Sequence, residues 1–450
     1  MLDSATVTNI SDFLVNKVTD EVKKVSINLK LGDLHGFEQS LQILMREAYN
    51  FICKEVLPEV AEGLKEELKE ASLSAGNRKI KSRDTIVRIA TGELVRVPSL
   101  YIGKPIKGMK KSRHLINNYW SLIKGNSPLL YDQIGYCSAL GPSYEVGHQT
   151  LKKFGVNVCL SSVRDINNNL ANHCSDFGEE HLIVEQGETV KGKRVVLSID
   201  GGRTRLREYS GQRNKKGELT YDTAWREPKL FVIDILDKNG KVDRRKLPLY
   251  GVRFSEEDCF ELLSRYLKKL NIEQAKEVQI IADGAPWIWK HTKPLLEKLG
   301  VPSIKITETL DVYHATKYVN DLVENMPKRI DKTERNNYLK VFKELLWKGE
   351  SKIIVDTCRS IYKKPNDLVR RYINYLDKHE GKMQYADLQS NKLMCGSGIV
   401  ESAIRRIINL RFKNSGTFWK KSIVEKLYFF RGALLAGRWN TLIHNITHTQ

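Results

Sequence analysis

Two aspartates and one glutamate occupy positions where catalytic carboxylates can meet. Asp200 ends the apolar run VVLSID, Asp283 ends the run VQIIAD, and a glycine follows each. Such runs are typical of buried strands, and glycine lets the chain turn sharply after them. Glu401 lies just inside a predicted helix, after a Gly-Ser-Gly loop. Three carboxylates that converge from two strands and a helix could hold two Mg2+ or Mn2+ ions roughly 4 Å apart, as a phosphoryl-transfer site requires.

Each carboxylate taken alone has an ordinary structural explanation. An aspartate at a strand end is usually a turn former or a helix cap, and the helix dipole favours a glutamate in the first turn of a helix. The two aspartates in matching positions, with the glutamate as a third member, make the catalytic interpretation stronger than any one residue does.

Strands and helices alternate around these residues. Asp200 ends a first strand, the charged stretch 203–227 suggests a following strand and an exposed loop, and KLFVIDIL is another strand. A helix, the strand ending on Asp283, a second helix and the strand VPSIKIT follow, which gives the order βββαβαβ. From Asp311 to about Asn391 the pattern is almost wholly helical. We therefore expect an α/β core, starting between 180 and 192, with an all-helical insertion before the Glu401 helix.

The segments before this core are predicted to be mostly helical. Apolar residues recur at helical spacing from 35 to 74, with a break only near Pro58. The sequence DTIVRIATGELVRVPSLYI alternates apolar and polar residues on both sides of Thr91 and Gly92. This alternation predicts a β-hairpin with a short turn.

A helix-turn-helix is predicted between residues 139 and 174. One helix should run to Phe154, a turn should follow at Gly155, and a second helix should open at Ser161 or Ser162 as its cap. Two packed helices joined by a glycine turn would give the same pattern, so both interpretations stay open. If the motif binds DNA, its second helix would offer four polar side chains to a groove: Ser162, Arg164, Asn167 and Asn168.

The charge of the chain favours a polyanionic partner. It carries 74 Lys and Arg against 54 Asp and Glu, a formal net charge of +20, and its pI is near 9.4. Nucleic acid is the natural partner of such a protein. A ribosome-associated protein or a basic enzyme indifferent to nucleic acid would have a similar composition, so the charge alone leaves these classes open.

The cysteines and the apolar segments bear on location. The seven cysteines lie far apart, without a Cys-x-x-Cys pair, so neither a disulfide framework nor a zinc ribbon is indicated. The start of the chain lacks the pattern of a signal peptide, and no apolar stretch of about 18 residues could span a bilayer. We expect a cytoplasmic, nucleoid-associated protein with no membrane partner.

Three motifs carry a resemblance to a known family. SIDGGRTR around Asp200, IIADGAPWIW around Asp283 and GSGIVESAIRRI around Glu401 resemble the motifs of DDE transposases of bacterial insertion sequences. The similarity is to the Mutator-like group, which has a helical insertion before the glutamate, and it covers roughly residues 80 to 440. It implies a ribonuclease-H-like fold in which these three carboxylates are the catalytic metal ligands.

Further site residues follow from the resemblance. The sequence from Asp311 to His314 resembles the Asp/Cys-x-x-His element of such enzymes, which implies a supporting role near the active site. Trp347 resembles the insertion-domain tryptophan that can stack on a flipped or unpaired base. A helix cap with a partly buried histidine, and a core tryptophan, are the structural alternatives.

A basic segment near the C-terminus is predicted to follow a DNA backbone, with contacts from Arg405, Arg406, Arg411 and Lys413. Glu425 is the single acidic residue between positions 405 and 438. Binding through this segment should weaken with added salt, because each neutralised phosphate releases counterions. The nine basic residues are at positions 405, 406, 411, 413, 420, 421, 426, 431 and 438.

The resemblance implies a function and a division of the chain. The protein would be a DNA transposase that cleaves transposon ends and joins their 3′-hydroxyl ends to target DNA, with two Mg2+ or Mn2+ ions per active site. Cutting two ends in concert implies a homodimer or higher oligomer on DNA. A ribonuclease-H-like nuclease without strand transfer and a non-catalytic transposase-derived DNA-binding protein are the alternatives. The predicted parts are a helical region (1–77), a hairpin and helix-turn-helix region (78–190), the first part of the core (191–314), the helical insertion (315–391) and the core completion (392–450).

Overall fold

The chain forms two compact units. The computed structural model describes residues 2–77, 79–103, 113–414 and 416–448. Met1–Gly178 and Leu442–Gln450 make up the first unit, and Glu179–Thr441 makes up the second. The three predicted catalytic carboxylates all lie in the second unit.

The first unit begins with helices. A π-helical segment, Phe13–Val18, lies between α1 and α2. The break predicted near Pro58 is wrong, because α3 continues through it. Cys53, Leu57 and Ala61 on α3 pack against a small apolar cluster, and burial of this face stabilises the helix across the proline. The helices are α1 (Ser4–Asp12), α2 (Thr19–Lys30), α3 (Leu34–Gly63) and α4 (Lys65–Ser74).

Five short strands follow among the described residues of this unit: β1 (Ile80–Ser82), β2 (Thr85–Arg88), β3 (Leu94–Val97), β4 (Leu100–Ile102) and β5 (Arg113–His114). β2 and β3 pair antiparallel, with Gly92 in the turn at a φ of +90°, so the predicted hairpin is confirmed. β1, β4 and β5 form a separate antiparallel sheet.

Four helices complete the described part of this segment: α5 (Leu115–Tyr119), α6 (Pro128–Leu140), α7 (Tyr144–Lys153) and α8 (Leu160–Phe177). α7 and α8 pack together on either side of Gly155, which has a φ of +89°. α8 starts earlier than predicted, with Cys159 rather than Ser161 or Ser162 at its N-cap. Both serine hydroxyls lie beside the Cys159 thiol instead.

The second unit is built on a mixed five-stranded sheet. Its strands are β6 (Arg194–Gly201), β9 (Lys229–Leu236), β10 (Leu249–Arg253), β11 (Glu277–Ala282) and β12 (Ile306–Leu310), and the intervening β7 (Thr204–Arg213) and β8 (Leu219–Arg226) form a separate antiparallel ribbon. The order across the sheet is β10-β9-β6-β11-β12. β6, β11 and β12 are parallel, whereas β9 runs antiparallel to both its neighbours.

Two strand predictions need correction. The stretch 203–227 contains two strands, not one, and they pair with each other outside the five-stranded sheet. β6, β9 and β10 are connected by antiparallel pairing, and β10 was not predicted from the sequence. Gly251 lies in β10 opposite Phe231, and a Cβ there would lie 2.1 Å from the Phe231 ring. The close approach of this ring explains a glycine in the strand, a residue that sequence patterns associate with turns.

Helices cover the sheet, and the predicted helical segment is present. α9 (Glu179–Ile183), α10 (Glu256–Lys269) and α11 (Pro286–Lys298) belong to the first part of the unit. The predicted insertion contains α12 (Val312–Glu324), α13 (Lys332–Lys348), α14 (Ser351–Ile361), α15 (Asp367–Lys378) and α16 (Tyr385–Ser390). These helices share one apolar core with Ile281 and Leu310 at the ends of β11 and β12. The insertion is thus packed onto the sheet edge where the aspartates lie.

The Glu401 helix is irregular. α17 (Gly398–Ala403) passes through a π-helical segment, Ile404–Asn409, into α18 (Leu410–Phe412). α19 (Lys421–Leu435) and α20 (Trp439–His448) end the described chain. No helix within the described ranges is long and apolar enough to cross a membrane. The seven cysteines are free thiols.

Candidate active site

Strand register sets three aspartates side by side. Ile199 of β6 pairs with Ala282 of β11, and Ala282 pairs with Leu310 of β12. The next residue on each strand is an aspartate: Asp200, Asp283 and Asp311. Because the three strands are parallel, these residues line one edge of the sheet at its carboxyl ends, where α/β sheets place functional side chains.

The surroundings of Asp200 disfavour the ionised form of its side chain. Burial raises its pKa from 3.8 to about 6, against the opposing effect of a hydrogen bond from the Gly201 N–H. The nearby carboxylates of Asp283 and Glu401 raise the pKa further, and His314 lowers it. Asp283, Glu401 and His314 are therefore each within electrostatic reach of Asp200.

Two hydrogen bonds stabilise the turn after Asp283. The Asp283 side chain accepts a hydrogen bond from the Ala285 N–H at 2.8 Å, and the Trp289 indole N–H donates to the Asp283 carbonyl at 2.8 Å. Gly284 has no room for a side chain, since a Cβ there would lie 2.0 Å from the Tyr375 ring. Tyr375 stacks on Tyr318 with ring centroids 3.8 Å apart, which joins two insertion helices beside this turn.

Asp311 links His314 to the loop that carries Glu401. Its fully buried carboxylate accepts hydrogen bonds from the His314 Nδ1 at 2.7 Å and from the Ser397 N–H at 3.0 Å. The N–H groups of Tyr313 and His314 also donate to it. Burial opposes ionisation of Asp311, but these hydrogen bonds outweigh it and lower its pKa, and the bond to Asp311 raises the pKa of His314.

Glu401 is exposed and is positioned through the backbone around it. The loop before α17 is tied to the sheet by Gln279, a buried residue of β11 whose amide donates to the Met394 carbonyl at 2.6 Å and accepts from the Met394 N–H at 3.0 Å. Beyond Glu401, the π-helical segment approaches the end of β6 closely. A Cβ on Gly202 would lie 2.6 Å from Ile408, so this glycine permits the approach.

The types of donor at this edge of the sheet suit a hard divalent cation. Carboxylate oxygens are the ligands that Mg2+ and Mn2+ prefer, and a cation would offset the unfavourable charge on Asp200. Ligand atoms of Asp311, His314 and Glu401 all lie within 4.8 Å of one another, and this group does not include Asp200 or Asp283. Asp311 already accepts N–H donors on both oxygens, which makes it a poorer ligand than the other carboxylates.

The predicted DNA-contact segment divides into exposed and buried residues. Arg405 and Lys413 are exposed, and Arg406 is partly buried, with a guanidinium hydrogen bond to the Tyr250 hydroxyl at 3.2 Å. Arg411 is fully buried against Phe412 and Trp419, so its prediction as a DNA contact is corrected. A guanidinium enclosed in the interior cannot reach a phosphate at the surface.

Two further arginines of this segment are structural. Arg431 is buried and donates from Nε to the Arg406 carbonyl at 2.7 Å. Arg438 is 1% exposed, and all five of its N–H donors are used by Glu188 and three backbone carbonyls. The basic residues of this segment therefore do not form one continuous phosphate-binding face.

The remaining predicted DNA contacts lie in different surroundings. Trp347 is 41% exposed and rests with one edge near Tyr385, at a centroid distance of 5.8 Å. In α8, Arg164 is exposed and Asn168 is partly exposed. Asn167, which the sequence analysis offered to a groove, is buried, and its amide donates to the Tyr144 hydroxyl at 2.9 Å. Its role is in packing α8 onto α7.

Several positioning residues escaped the sequence analysis. Gln279 could have been noticed as a polar residue in the apolar strand VQIIAD. Tyr318 lies four residues after His314, on the same side of α12, but no local pattern connects it with Tyr375. Trp289 holds the Asp283 turn through its indole N–H, and no local pattern predicts this hydrogen bond. Such contacts depend on tertiary structure and leave no mark on local spacing.

The chain was compared with known proteins. No protein-family model matches it, and neither does any curated protein. Among solved structures, a chain of the Drosophila P element transposase strand transfer complex is similar over 71% of this chain and 81% of that chain, with 13% sequence identity and a TM-score of 0.26.

Proposed function

We propose that the protein is a DDE-type DNA transposase, with Asp200, Asp283 and Glu401 as its catalytic carboxylates. The observation that carries this proposal is the strand register, which brings Asp200 and Asp283 side by side at one sheet edge. The effect of Glu401 on the pKa of Asp200 supports the inclusion of the third carboxylate. The resemblance to bacterial insertion-sequence enzymes of the Mutator-like group supports the reaction class.

The ribonuclease-H-like fold is part of this proposal. In its support, β9 is the one strand of the sheet that runs antiparallel to β6, whereas β10, β11 and β12 run in the same direction as β6. The sheet strands and their helices follow the order βββαβαβ, although β10 takes the place of the strand that was predicted within 203–227. The helices between β12 and α17 occupy the place of the insertion that the resemblance implies.

The chain's own residues would have distinct roles in the reaction. Asp200, Asp283 and Glu401 would hold two Mg2+ or Mn2+ ions, which supply charge stabilisation for an in-line displacement at phosphorus. Asp311 orients His314 through Nδ1, which leaves Nε2 as the ring nitrogen available to a phosphate oxygen. Arg405, Arg406 and Lys413 would contact the DNA backbone near the Glu401 helix. DNA is the proposed partner, and a dimer or higher oligomer the proposed assembly.

Cleavage of DNA that contains the gene's flanks tests this function. Purified protein with Mg2+ or Mn2+ should nick the ends and join them to target DNA, and Asp283→Ala should lose both steps while it still binds DNA. Asp331→Ala, a change at an exposed helix cap, is the matched control and should keep both steps. Cleavage without joining would favour the nuclease, and binding without cleavage would favour the non-catalytic DNA-binding protein.

A further inference from the structure

The β7–β8 ribbon begins and ends at the catalytic edge of the sheet. Thr204, the first residue of β7, lies four residues after Asp200. β8 ends at Arg226 and leads directly into β9, where Lys229 pairs with Gly201. Both strands of the ribbon are therefore anchored beside the end of the strand that carries Asp200.

One face of the ribbon combines arginines with aromatic rings. The cross-strand pairs Arg205–Trp225, Arg207–Thr223 and Tyr209–Tyr221 are two residues apart along each strand, so their side chains share a face. We call Arg205, Arg207, Tyr209, Tyr221 and Trp225 the arginine-aromatic face. Its three rings are substantially exposed: 41% for Tyr209, 40% for Tyr221 and 47% for Trp225.

Cations lie over the rings of this face. The Arg207 guanidinium is 4.9 Å from the Tyr221 ring centroid, and Arg205 is 5.3 Å from that of Trp225. The Lys420 ammonium, on a neighbouring segment, is 5.3 Å from the Tyr209 ring centroid. Within the described part of the chain, no carboxylate forms an ion pair with these three cations. Stacking orients a guanidinium, and because the Nε atoms of Arg205 and Arg207 are buried, a ligand would be contacted through their terminal N–H groups.

The opposite face of the ribbon has a different charge balance. Arg226 donates two hydrogen bonds to the Glu208 carboxylate, at 2.6 Å and 2.7 Å. Asp222, which pairs with Glu208 in the ribbon, adds a second acidic residue to this face. The cations and the exposed rings are thus concentrated on one side, and that side lacks acidic residues.

We propose that the arginine-aromatic face binds a single-stranded DNA segment next to the catalytic carboxylates. Exposed rings stack on unpaired bases of any sequence, and unpaired cations neutralise the phosphates between those bases. A duplex buries its base faces in its own stack, so it could use the cations but not the rings. The inference deepens the proposed transposase function and rests on it, because the ribbon would hold the strand to be cut or joined.

Binding of labelled oligothymidine of about 16 nucleotides, followed by fluorescence anisotropy in EDTA, tests the proposal without catalysis. Tyr209→Leu/Tyr221→Leu should weaken binding about tenfold, whereas Tyr209→Phe/Tyr221→Phe should stay within about twofold of the wild type, because it keeps the rings. Arg207→Gln should weaken binding and lower the salt slope by about 0.7. Glu208→Gln/Arg226→Gln, on the opposite face, is the control and should bind as the wild type does.

A matched duplex and a folding measurement complete the experiment. The double leucine variant should lose less than about threefold in duplex affinity, because duplex binding does not need the rings. Equal losses on both DNAs would overturn the single-strand assignment, and so would unchanged oligothymidine binding in the leucine and glutamine variants. Thermal unfolding must match the wild type for the leucine result to count, and the phenylalanine pair guards against misfolding. If the wild type binds through this face but never cleaves DNA, the proposed function is refuted and the binding role of the face is not. If the wild type cleaves DNA and the ribbon variants bind oligothymidine as it does, the binding role of the face is refuted and the proposed function is not.

Discussion

At the scale of single residues, the site combines a carboxylate whose ionised form is disfavoured with one whose ionised form is stabilised by hydrogen bonds. Asp200 is partly buried near two other carboxylates, and its pKa is about 6. Asp311 has hydrogen bonds to both oxygens, and its pKa is lowered. The first arrangement suits a residue that receives a cation, and the second suits a residue that holds its neighbours in place.

The substitution Asp200→Asn should stabilise the protein in metal-free buffer. The folded protein keeps a proton on Asp200 up to about pH 6, whereas the unfolded chain releases it near pH 4, so this residue's contribution to stability falls as the pH rises between these values. The variant should therefore gain on the order of 2 kcal/mol at about pH 7 and nothing at about pH 4. Thermal unfolding in EDTA at both pH values measures this difference.

Divalent ions provide the control for this prediction. Mn2+ should raise the unfolding temperature of the wild type, because it binds the folded state, and should do so much less for Asp200→Asn. An equal shift in both proteins would remove Asp200 from the proposed ligands. Equal stabilities of the two proteins at both pH values would show that folding does not raise the pKa of Asp200.

Asp311→Ala should cost about 3 kcal/mol of stability, because it leaves the backbone N–H donors of residues 313, 314 and 397 without an acceptor. Urea unfolding measures the loss. Asp331→Ala removes one exposed cap of α13 and should cost only about 1 kcal/mol. Similar losses in the two variants would argue that the Asp311 network adds nothing beyond an ordinary helix cap.

At the scale of elements, the helical insertion contacts the catalytic turn through aromatic rings. Gly284→Ala should destabilise the protein by about 2 kcal/mol and reduce cleavage, because its Cβ would displace the Tyr375 ring from its stack on Tyr318. Gly398→Ala is the matched control, since a Cβ there meets nothing within 4 Å and should change stability by less than about 0.5 kcal/mol. Urea unfolding and end cleavage of both variants provide the test, and full activity of Gly284→Ala would exclude this coupling.

The two neighbouring asparagines of α8 should separate folding from DNA binding. Asn167→Ala should lower stability by about 1 kcal/mol, because the buried amide bonds to Tyr144. Arg164→Ala and Asn168→Ala should leave stability unchanged and weaken binding to the transposon end, if α8 enters a groove. Anisotropy with end DNA, alongside urea unfolding, distinguishes the two effects. Unaltered DNA binding in both surface variants would favour the interpretation of two merely packed helices.

The sequence predicted those strands and helices whose buried residues give a recognisable pattern of apolar residues along the chain. The strands ending on Asp200 and Asp283 are mostly apolar, and the insertion helices have clear apolar faces, so both were found. β10 was missed because Gly251 interrupts its pattern, and β7–β8 was read as a strand and loop because most of its side chains are exposed. Long-range pairing sets the register that aligns the aspartates, and local spacing cannot reveal it.

At the scale of the whole molecule, net charge predicted a partner but not the binding surface. Of the nine basic residues between 405 and 438, Arg411, Arg431 and Arg438 are buried. Local sequence does not distinguish them from the exposed ones, because the burial of an arginine depends on tertiary contacts and not on its neighbours in the chain.

The proposed assembly on DNA is also a property of the whole molecule. Concerted cutting of two ends needs two active sites, so we expect at least two protein copies on paired transposon ends. Mass measurement of the complex by light scattering should give this number for the wild type and for Asp283→Ala, which binds without cutting. One copy per pair of ends would contradict the proposed assembly.

The most direct test of the central claim is strand transfer from precut ends. A labelled DNA end with a free 3′-hydroxyl, target plasmid and Mn2+ should yield joined products with the wild type, and Asp200→Asn, Asp283→Asn and Glu401→Gln should each reduce joining by roughly a thousandfold. Joining that persists at the wild-type rate in any of the three folded variants, or that never occurs with the wild type on correct ends, would contradict the assignment of this carboxylate site to DNA transposition.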